Sequence, residues 1–494
     1  MKNNWPFFLI FAAAVLFFWP FQFNPLNPYF SGEDAFYHVG MANFILDHGI
    51  VQKFPWLYFT TINANFVDHQ LLFHLLLIPF MKLIGTVDGP KIMEIIFFAL
   101  SFAMIFPILR EKKLKLAWLY PILLFALMPA DFYFRMSFIR VQAVSLFLMM
   151  LALYLIIKNK PVWLGIISFL FVWLYGGSVF LPVLIGIYFV SQLLSSEKIS
   201  WKVLAFGIGG FVLGILINPY FPKNIGFLFD QIFKTGLGAQ SYSGGEWRSY
   251  ETWYWVKMCA VPILIFFGGL TVGFINGVRK SALDLTILIF SIFLLVLQWK
   301  AMRFVEYWPF WGALAGLVLG GKYVEQKIAG VLNKPRIWSI TVLIAATALS
   351  FFYLFGYFDQ QRTKGLADST TNFDLKAVTE VHDYLKTNSA EGDIVFTDDW
   401  DVFPLYFYLN QKNYYLVGLD PEFMNQYNHD LFEEFAGISS GSEYRNLDRI
   451  KNDFKAKWVL VADDHRAFRF NLLQYPDLFD KVFDNSSYYL FKVK

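Results

Sequence analysis

Apolar runs recur along the first 357 residues, separated by short polar loops, and their lengths fit helices crossing a bilayer. A span needs about 20 predominantly apolar residues to cross roughly 30 Å of hydrocarbon, with a lower limit near 17. Runs of this kind lie near 5–22, 92–109, 114–130, 141–157, 161–176, 179–194, 203–218, 256–275, 283–298, 304–321 and 337–357, which predicts about eleven transmembrane helices. One further run, 69–84, contains His69, Gln70, His74 and Pro79. These residues favour a helix lying in the interface or re-entering from it, so the run is not counted as a span.

The loops between the runs alternate in charge. Arg110, Lys112, Lys113 and Lys115 form one basic cluster, followed by Lys158 and Lys160, Lys198 and Lys202, Arg279 and Lys280, and finally Lys322, Lys327, Lys334 and Arg336. Together with Lys2 they fall on one side of the eleven-span arrangement, and the positive-inside tendency makes that side cytoplasmic. The N-terminus is then inside and residues 358–494 outside. The first run lacks a small-residue cleavage site and is closed by WPFQFNP, so an uncleaved anchor is expected in place of a signal peptide.

Past residue 358 the pattern changes to that of a water-soluble unit. DLKAVTEVHDYLK and SEYRNLDRIKNDFK have helical spacing, while DIVFTD, YYLVG, KWVLVADD and SSYYLFKVK read as strands. Such alternation predicts a small α/β domain with an at least partly parallel sheet. The expected organisation is a membrane domain over 1–357, with outer loops 25–70, 131–140 and 219–255, followed by an extracytoplasmic α/β domain over 358–494.

Composition agrees: 57% hydrophobic and 16% charged residues over 494 positions is too apolar for a soluble globule. The lone cysteine, Cys259, excludes an intramolecular disulfide and a cysteine metal cluster. No GxGxxG, P-loop, HExxH or repeat period is present, so nucleotide-dependent chemistry has no support.

The outer loops hold charges that burial does not explain. In SGEDAFYHVG, Glu33 and Asp34 open a helix and either cap it or, with His38 one turn later, form an acid/base or metal-binding centre. Asp68 and His69 close the same loop. The stretch DFYFRMSFIR carries Asp131, Arg135 and Arg140 on the outside, against the charge trend. In WKAMRFVEYWP, Lys300 and Arg303 either snorkel, with an Arg303–Glu306 pair, or bind a phosphate, which a guanidinium matches bidentately. Loop 219–255 carries Glu246 and Glu251 after a glycine-rich middle, and is either an interfacial belt or a mobile active-site loop. Asp398, Asp399 and Asp401 surround Trp400 after a predicted strand, where α/β domains place binding loops. A solvated turn is the alternative there.

An acidic residue just outside the first membrane helix, then Tyr-His, a short helix, a Gly, and an aromatic stretch ending in D-H-x-L-L-F-H resembles the GT-C fold membrane glycosyltransferases. These include the catalytic subunit of oligosaccharyltransferase, the protein O-mannosyltransferases and the aminoarabinose transferases. The resemblance implies a polytopic α-helical membrane protein that moves a hexosyl or pentosyl sugar from a polyprenyl-phosphate or polyprenyl-diphosphate donor to a glycan, lipid or protein acceptor. Membrane lipid is a further partner, and no nucleic acid is expected. The location implied is a bacterial or archaeal cytoplasmic membrane, with chemistry on the extracytoplasmic face.

Within that resemblance, Asp34, Glu33, His38 and Asp68 are the catalytic candidates, with Asp34 as the base of an inverting transfer. Arg303, Lys300, Arg135 and Arg140 are candidates for the donor phosphate. Glu246, His69, Asp399 and Asp401 are candidates for the acceptor side or its loop. The sequence departs from the oligosaccharyltransferase pattern: its second outer loop offers Asp131 but mostly Arg, and FTDDWDVFPLYFY stands where WWDYG would begin the soluble domain. A divalent metal, Mg or Mn, is an open choice, with Asp34, Asp131 and Glu246 as its donors; no other cofactor is expected. Glycan transfer to protein is the alternative within the class. A lipid or solute transporter or flippase, and a silent scaffold, are alternatives outside it, although no paired repeat of the kind transporters use is visible.

Overall fold

The structure, a computed structural model, describes residues 4–25, 28–236, 245–276, 281–333, 354–367 and 374–494. Among these, helices Trp5–Gln22, Asp88–Glu111 and Ala282–Lys300 are long and apolar enough to cross a membrane, and two bent helix pairs would bring the number to five. Shorter apolar helices, Gln142–Ile157, Pro161–Leu174, Phe180–Leu194 and Trp201–Leu216, cover the intermediate runs. Most of the run 337–357 lies outside the described residues.

The first bend falls at a proline. Leu119–Ala126 and Ala130–Met136 meet at 92° around Pro129, whose ring and extended backbone (ψ 154°) stop the first helix. The expected loop 131–140 is therefore mostly a helix, set nearly at right angles to the preceding run. Thr252–Met258 and Ala260–Ile275 meet at 79°. Helix Leu71–Ile84, 14 residues long, packs on helices Asp34–His48 and Asp88–Ala103.

Polar contacts tie several of the basic loops to neighbouring helix ends, while Arg279, Lys280, Lys334 and Arg336 lie outside the described residues. Lys112 pairs with Asp284 at 2.5 Å, Lys158 pairs with Glu111, and the Glu325 carboxylate accepts the main-chain N–H groups of Lys115 and Leu116, both at 2.8 Å. Close approach of backbones tightens the bundle. A Cβ built on Gly316 would lie 2.0 Å from the Ile265 carbonyl, so helices Ala260–Ile275 and Trp308–Asn333 touch main chain to main chain only because that position has no side chain.

Residues 375–493 form a five-stranded mixed sheet, β1 Ile394–Thr397, β2 Tyr414–Tyr415, β3 Trp458–Ala462, β4 Phe479–Asp484 and β5 Tyr488–Val493, in the order β2-β1-β3-β5-β4. β1 runs parallel to β2 and β3, while β5 is antiparallel to β3 and β4. β4, with the sequence FDKVFD, is an edge strand with two exposed residues after its first. Its register with β5 shifts between Lys481 and Phe483, which breaks the simple alternation. The expected helix in SEYRNLDRIKNDFK shrinks to Arg449–Asn452.

The sheet is sewn to the first long loop. Tyr415 N–H donates to the Trp56 carbonyl and Tyr58 N–H to the Tyr415 carbonyl, each at 2.8 Å, so residues 56–59 cover the β2 edge that would otherwise stand open. Helix Phe403–Leu409 packs on helix Asp34–His48, with the Phe407 ring against Gly40, where a Cβ would come within 3.2 Å. One apolar core runs through both parts, from Ile10 and Phe98 to Phe407, Tyr415 and Trp458. The helix that carries Asp34 and His38 is thus fixed from the C-terminal side of the chain.

Candidate functional site

Asp34 and His38 lie one turn apart on helix Asp34–His48 and line a cavity of about 170 Å³. His69 and Gln70 form another wall, Glu246, Trp247 and Arg303 a third, and Leu419 and Asp420, from the loop after β2, with Phe423 from helix Glu422–Tyr427, the remaining one. A larger cavity of about 480 Å³ between helices Pro161–Leu174 and Trp201–Leu216 is lined by apolar residues and glycines without a titratable group.

Three arginines and three carboxylates interlock beside the first cavity. Arg140 bridges Asp34 and Glu246, the latter at 3.5 Å. Arg135 reaches Glu246 at 2.7 Å and Glu306 at 2.5 Å, while Arg303 holds the other Glu246 oxygen at 3.1 Å and lies over the Trp247 ring at 4.3 Å. Burial alone would raise the Glu246 carboxyl, but Arg303, Arg135 and Arg140 outweigh it and hold the group well below the usual carboxylate range. Arg140 is anchored through its own main-chain N–H, which donates to Glu94 Oε1 at 2.9 Å. Its Nε is buried and meets no acceptor among the described residues. The Arg303–Glu306 pair, one of the alternatives read from the sequence, is not formed; Glu306 pairs with Arg135 and Arg303 with Glu246.

Behind His38 runs a second polar chain. His38 Nδ1 lies 2.9 Å from His74 Nε2, and His74 Nδ1 lies 2.8 Å from Asp68 Oδ2. All three are buried, at 5%, 0% and 4% exposure. A carboxylate oxygen accepts, so with Asp68 as the acceptor His74 donates from Nδ1 and accepts at Nε2 from His38 Nδ1. Burial, reinforced by His74 and Arg140, holds the His38 imidazole neutral, and burial pushes His69 down to about 4.

The predicted residues separate into groups. Asp34, His38, His69, Glu246 and Arg303 share the cavity, and Arg135, Arg140 and Asp68 support its walls. Lys300, exposed at the end of helix Ala282–Lys300, does not line it. Glu251 caps a helix, accepting the N–H groups of Trp253 and Tyr254 at 2.9 and 2.6 Å. Glu33, Asp399 and Asp401 form an acidic cluster at the junction with the C-terminal sheet, outside the cavity. Burial, with Asp401, Asp34 and Asp399 nearby, pushes Glu33 up to about 8, and burial with Asp399 pushes Asp401 up to about 6.

The C-terminal carboxylate that enters the cavity is Asp420, raised by burial to about 6. Leu419 before it has φ +65°, an unusual conformation for a residue with a branched side chain. The signal was available in YYLVGLDP, a loop at the carboxyl end of a parallel strand, the same rule that had pointed to Asp398–Asp401. His74 carried a weaker signal, because its partners are 6 and 36 residues away.

The donors proposed for a metal do not fit one. Asp34 is held by Arg140, and each oxygen of Glu246 faces a guanidinium. Asp131 accepts the hydroxyls of Tyr250 and Tyr254 at 2.9 and 3.0 Å, with Lys364 at 3.6 Å. Among the described residues, no three His, Cys, Asp or Glu side chains come together in a way that could hold an ion.

No protein-family model and no curated protein matches the sequence. Solved structures do match its fold. An Archaeoglobus fulgidus oligosaccharyltransferase, in complex with Zn and sulfate, is 12% identical with a TM-score of 0.64, over 98% of this chain and 73% of that one. ArnT from Cupriavidus metallidurans, bound to undecaprenyl phosphate, is 14% identical with a TM-score of 0.59, over 99% of this chain and 98% of that one. The arabinofuranosyltransferase AftD from Mycobacteria is 12% identical with a TM-score of 0.63, over 100% of this chain and 40% of that one. The chain has the GT-C fold, as its outer-loop motifs implied. With that fold and its apolar helices, it is read as an integral membrane protein.

Proposed function

We propose that the chain is a membrane glycosyltransferase that moves a sugar from a polyprenyl-phosphate or polyprenyl-diphosphate donor to an acceptor at the extracytoplasmic face, with inversion. The observation that carries this reading is the juxtaposition of Asp34 and Arg303 on one cavity wall system, beside Arg140 and Glu246, within a GT-C fold. In the reaction the acceptor oxygen forms a bond to the anomeric carbon while its proton passes to Asp34. The bond from that carbon to the phosphate oxygen breaks, and the electron pair stays on the departing lipid phosphate. Guanidinium groups in a partly dry site offset that charge well. Residues 1–357 supply this chemistry in the bilayer, and the domain over 358–494 contributes Asp420 and Phe423 to the wall that meets the acceptor.

Transfer of a glycan to protein is a second reading within the same chemistry. It is favoured less, because the second outer loop presents Arg135 and Arg140 where additional acids were expected from the oligosaccharyltransferase pattern. The experiment is incubation of the purified protein with a panel of labelled polyprenyl-linked sugars and candidate glycan, lipid and peptide acceptors. Transfer of label from one donor supports the reading. Absence of transfer or donor turnover, combined with movement of a lipid or solute across proteoliposomes, would replace it with the transporter reading.

A further inference from the structure

We propose that the Arg140 guanidinium does in this centre the work of a divalent cation, so that transfer proceeds without bound metal; this rests on the glycosyltransferase reading above. Mg²⁺ or Mn²⁺ between Asp34 and Glu246 would require free carboxylate oxygens and close to octahedral coordination. Instead Arg140 lies between those two carboxylates, touching both. Glu246 Oε1 faces Arg303 and Glu246 Oε2 faces Arg135 and Arg140. The third candidate donor, Asp131, is turned towards two tyrosine hydroxyls.

Charge points the same way. Three guanidinium groups, of Arg135, Arg140 and Arg303, already face three carboxylates, of Asp34, Glu246 and Glu306. A divalent ion entering this cluster would be repelled by all three arginines, whose carboxylate partners are already taken. Arg140 can also do what a fixed ion does. Its main chain is pinned by Glu94, and among the described residues its buried Nε–H has no acceptor. When the acceptor's O–H proton moves to Asp34, that carboxylate loses its negative charge. Arg140 then loses one of its two counterions, keeping Glu246, as the lipid phosphate oxygen receives the electron pair of the broken bond. The positive charge becomes available at the step that needs it.

The test combines metal content with kinetics. Protein purified without added metal is dialysed against EDTA, its metals are measured by plasma mass spectrometry, and Mn²⁺ binding is titrated by electron paramagnetic resonance. The expected result is no stoichiometric metal, no tight Mn²⁺ site, and transfer unchanged by EDTA. Arg140→Gln and Arg140→Lys should each lose on the order of 10²-fold or more in turnover, the scale for removing one donor to a developing charge, with no recovery in Mg²⁺ or Mn²⁺. A co-purifying equivalent of metal, loss of transfer in EDTA that Mn²⁺ restores, or near-parental turnover of a folded Arg140→Gln protein would overturn the proposal. If Arg140→Gln does not fold, metal content and chelation still decide. Failure of all donors would count against the glycosyltransferase reading, while the metal measurements would still be read separately.

Discussion

Replacing Asp34 by Asn keeps the shape of the side chain and removes its charge and basicity, and the size of the loss separates two roles. If Asp34 takes the acceptor proton, losing the general base costs about 10²–10⁴ in rate, or roughly 3–5 kcal/mol in the barrier. If Asp34 serves only as the counterion of Arg140, the expected cost is far smaller. Its side chain is 40% exposed, and a solvent-accessible pair of this kind contributes about 0.2–1 kcal/mol, at most about fivefold in rate. The two ranges do not overlap. The assay is initial-rate transfer from a saturating lipid-linked donor, with acceptor varied, for Asp34→Asn and the parent at matched thermal stability. We expect kcat to fall by at least about 10²-fold while the unfolding temperature changes little. Turnover within about fivefold of the parent would refute the assignment of Asp34 as base.

Arg303→Lys should raise the donor KM by roughly tenfold or more, because an ammonium reproduces neither the contact with Glu246 nor the face-on packing over Trp247; unchanged donor kinetics would leave Arg303 as an interfacial anchor. Glu33 gives a pH signature. Its carboxyl titrates near 8 in the folded protein, against about 4.3 in an unfolded chain, so the folded state binds the extra proton and stability falls as pH rises from about 5 through about 8. Thermal melts of Glu33→Gln across that range should lose this slope, and an unaltered slope would mean that other groups set it. Cysteines placed at positions 113 and 430 should label from opposite sides of the membrane, and labelling of both from outside intact cells would overturn the topology.

Much of the fold was legible because hydrophobic periodicity and charge act locally. The runs near 5–22, 141–157 and 283–298 correspond closely to helices Trp5–Gln22, Gln142–Ile157 and Ala282–Lys300, and the strands β1, β3 and β5 were each announced by β-branched and aromatic residues. The pattern was silent where tertiary contacts decide. Nothing in FDKVFD alone marks an edge strand, since its pairing comes from β5. Residues 131–136 read as loop because they carry Asp131 and Arg135; in the folded chain a helix forms after Pro129 because its charges are met by Tyr250, Tyr254, Glu246 and Glu306.

The same division runs through the site. Asp34 and His38 could be paired from the sequence because four residues place them on one helical face. The identity of each charge's partner could not, because Glu246 meets arginines 111, 106 and 57 positions away. This is why the Arg303–Glu306 pair, three residues apart, was a readable local alternative and does not occur. Once Arg135 takes Glu306, Arg303 is left to Glu246, and Glu246 becomes the point where the second outer loop, the long loop and the short helix Met302–Glu306 meet. A donor phosphate entering beside it would meet positive groups already held in position by a carboxylate, so little reorganisation would be needed when the leaving group develops its charge.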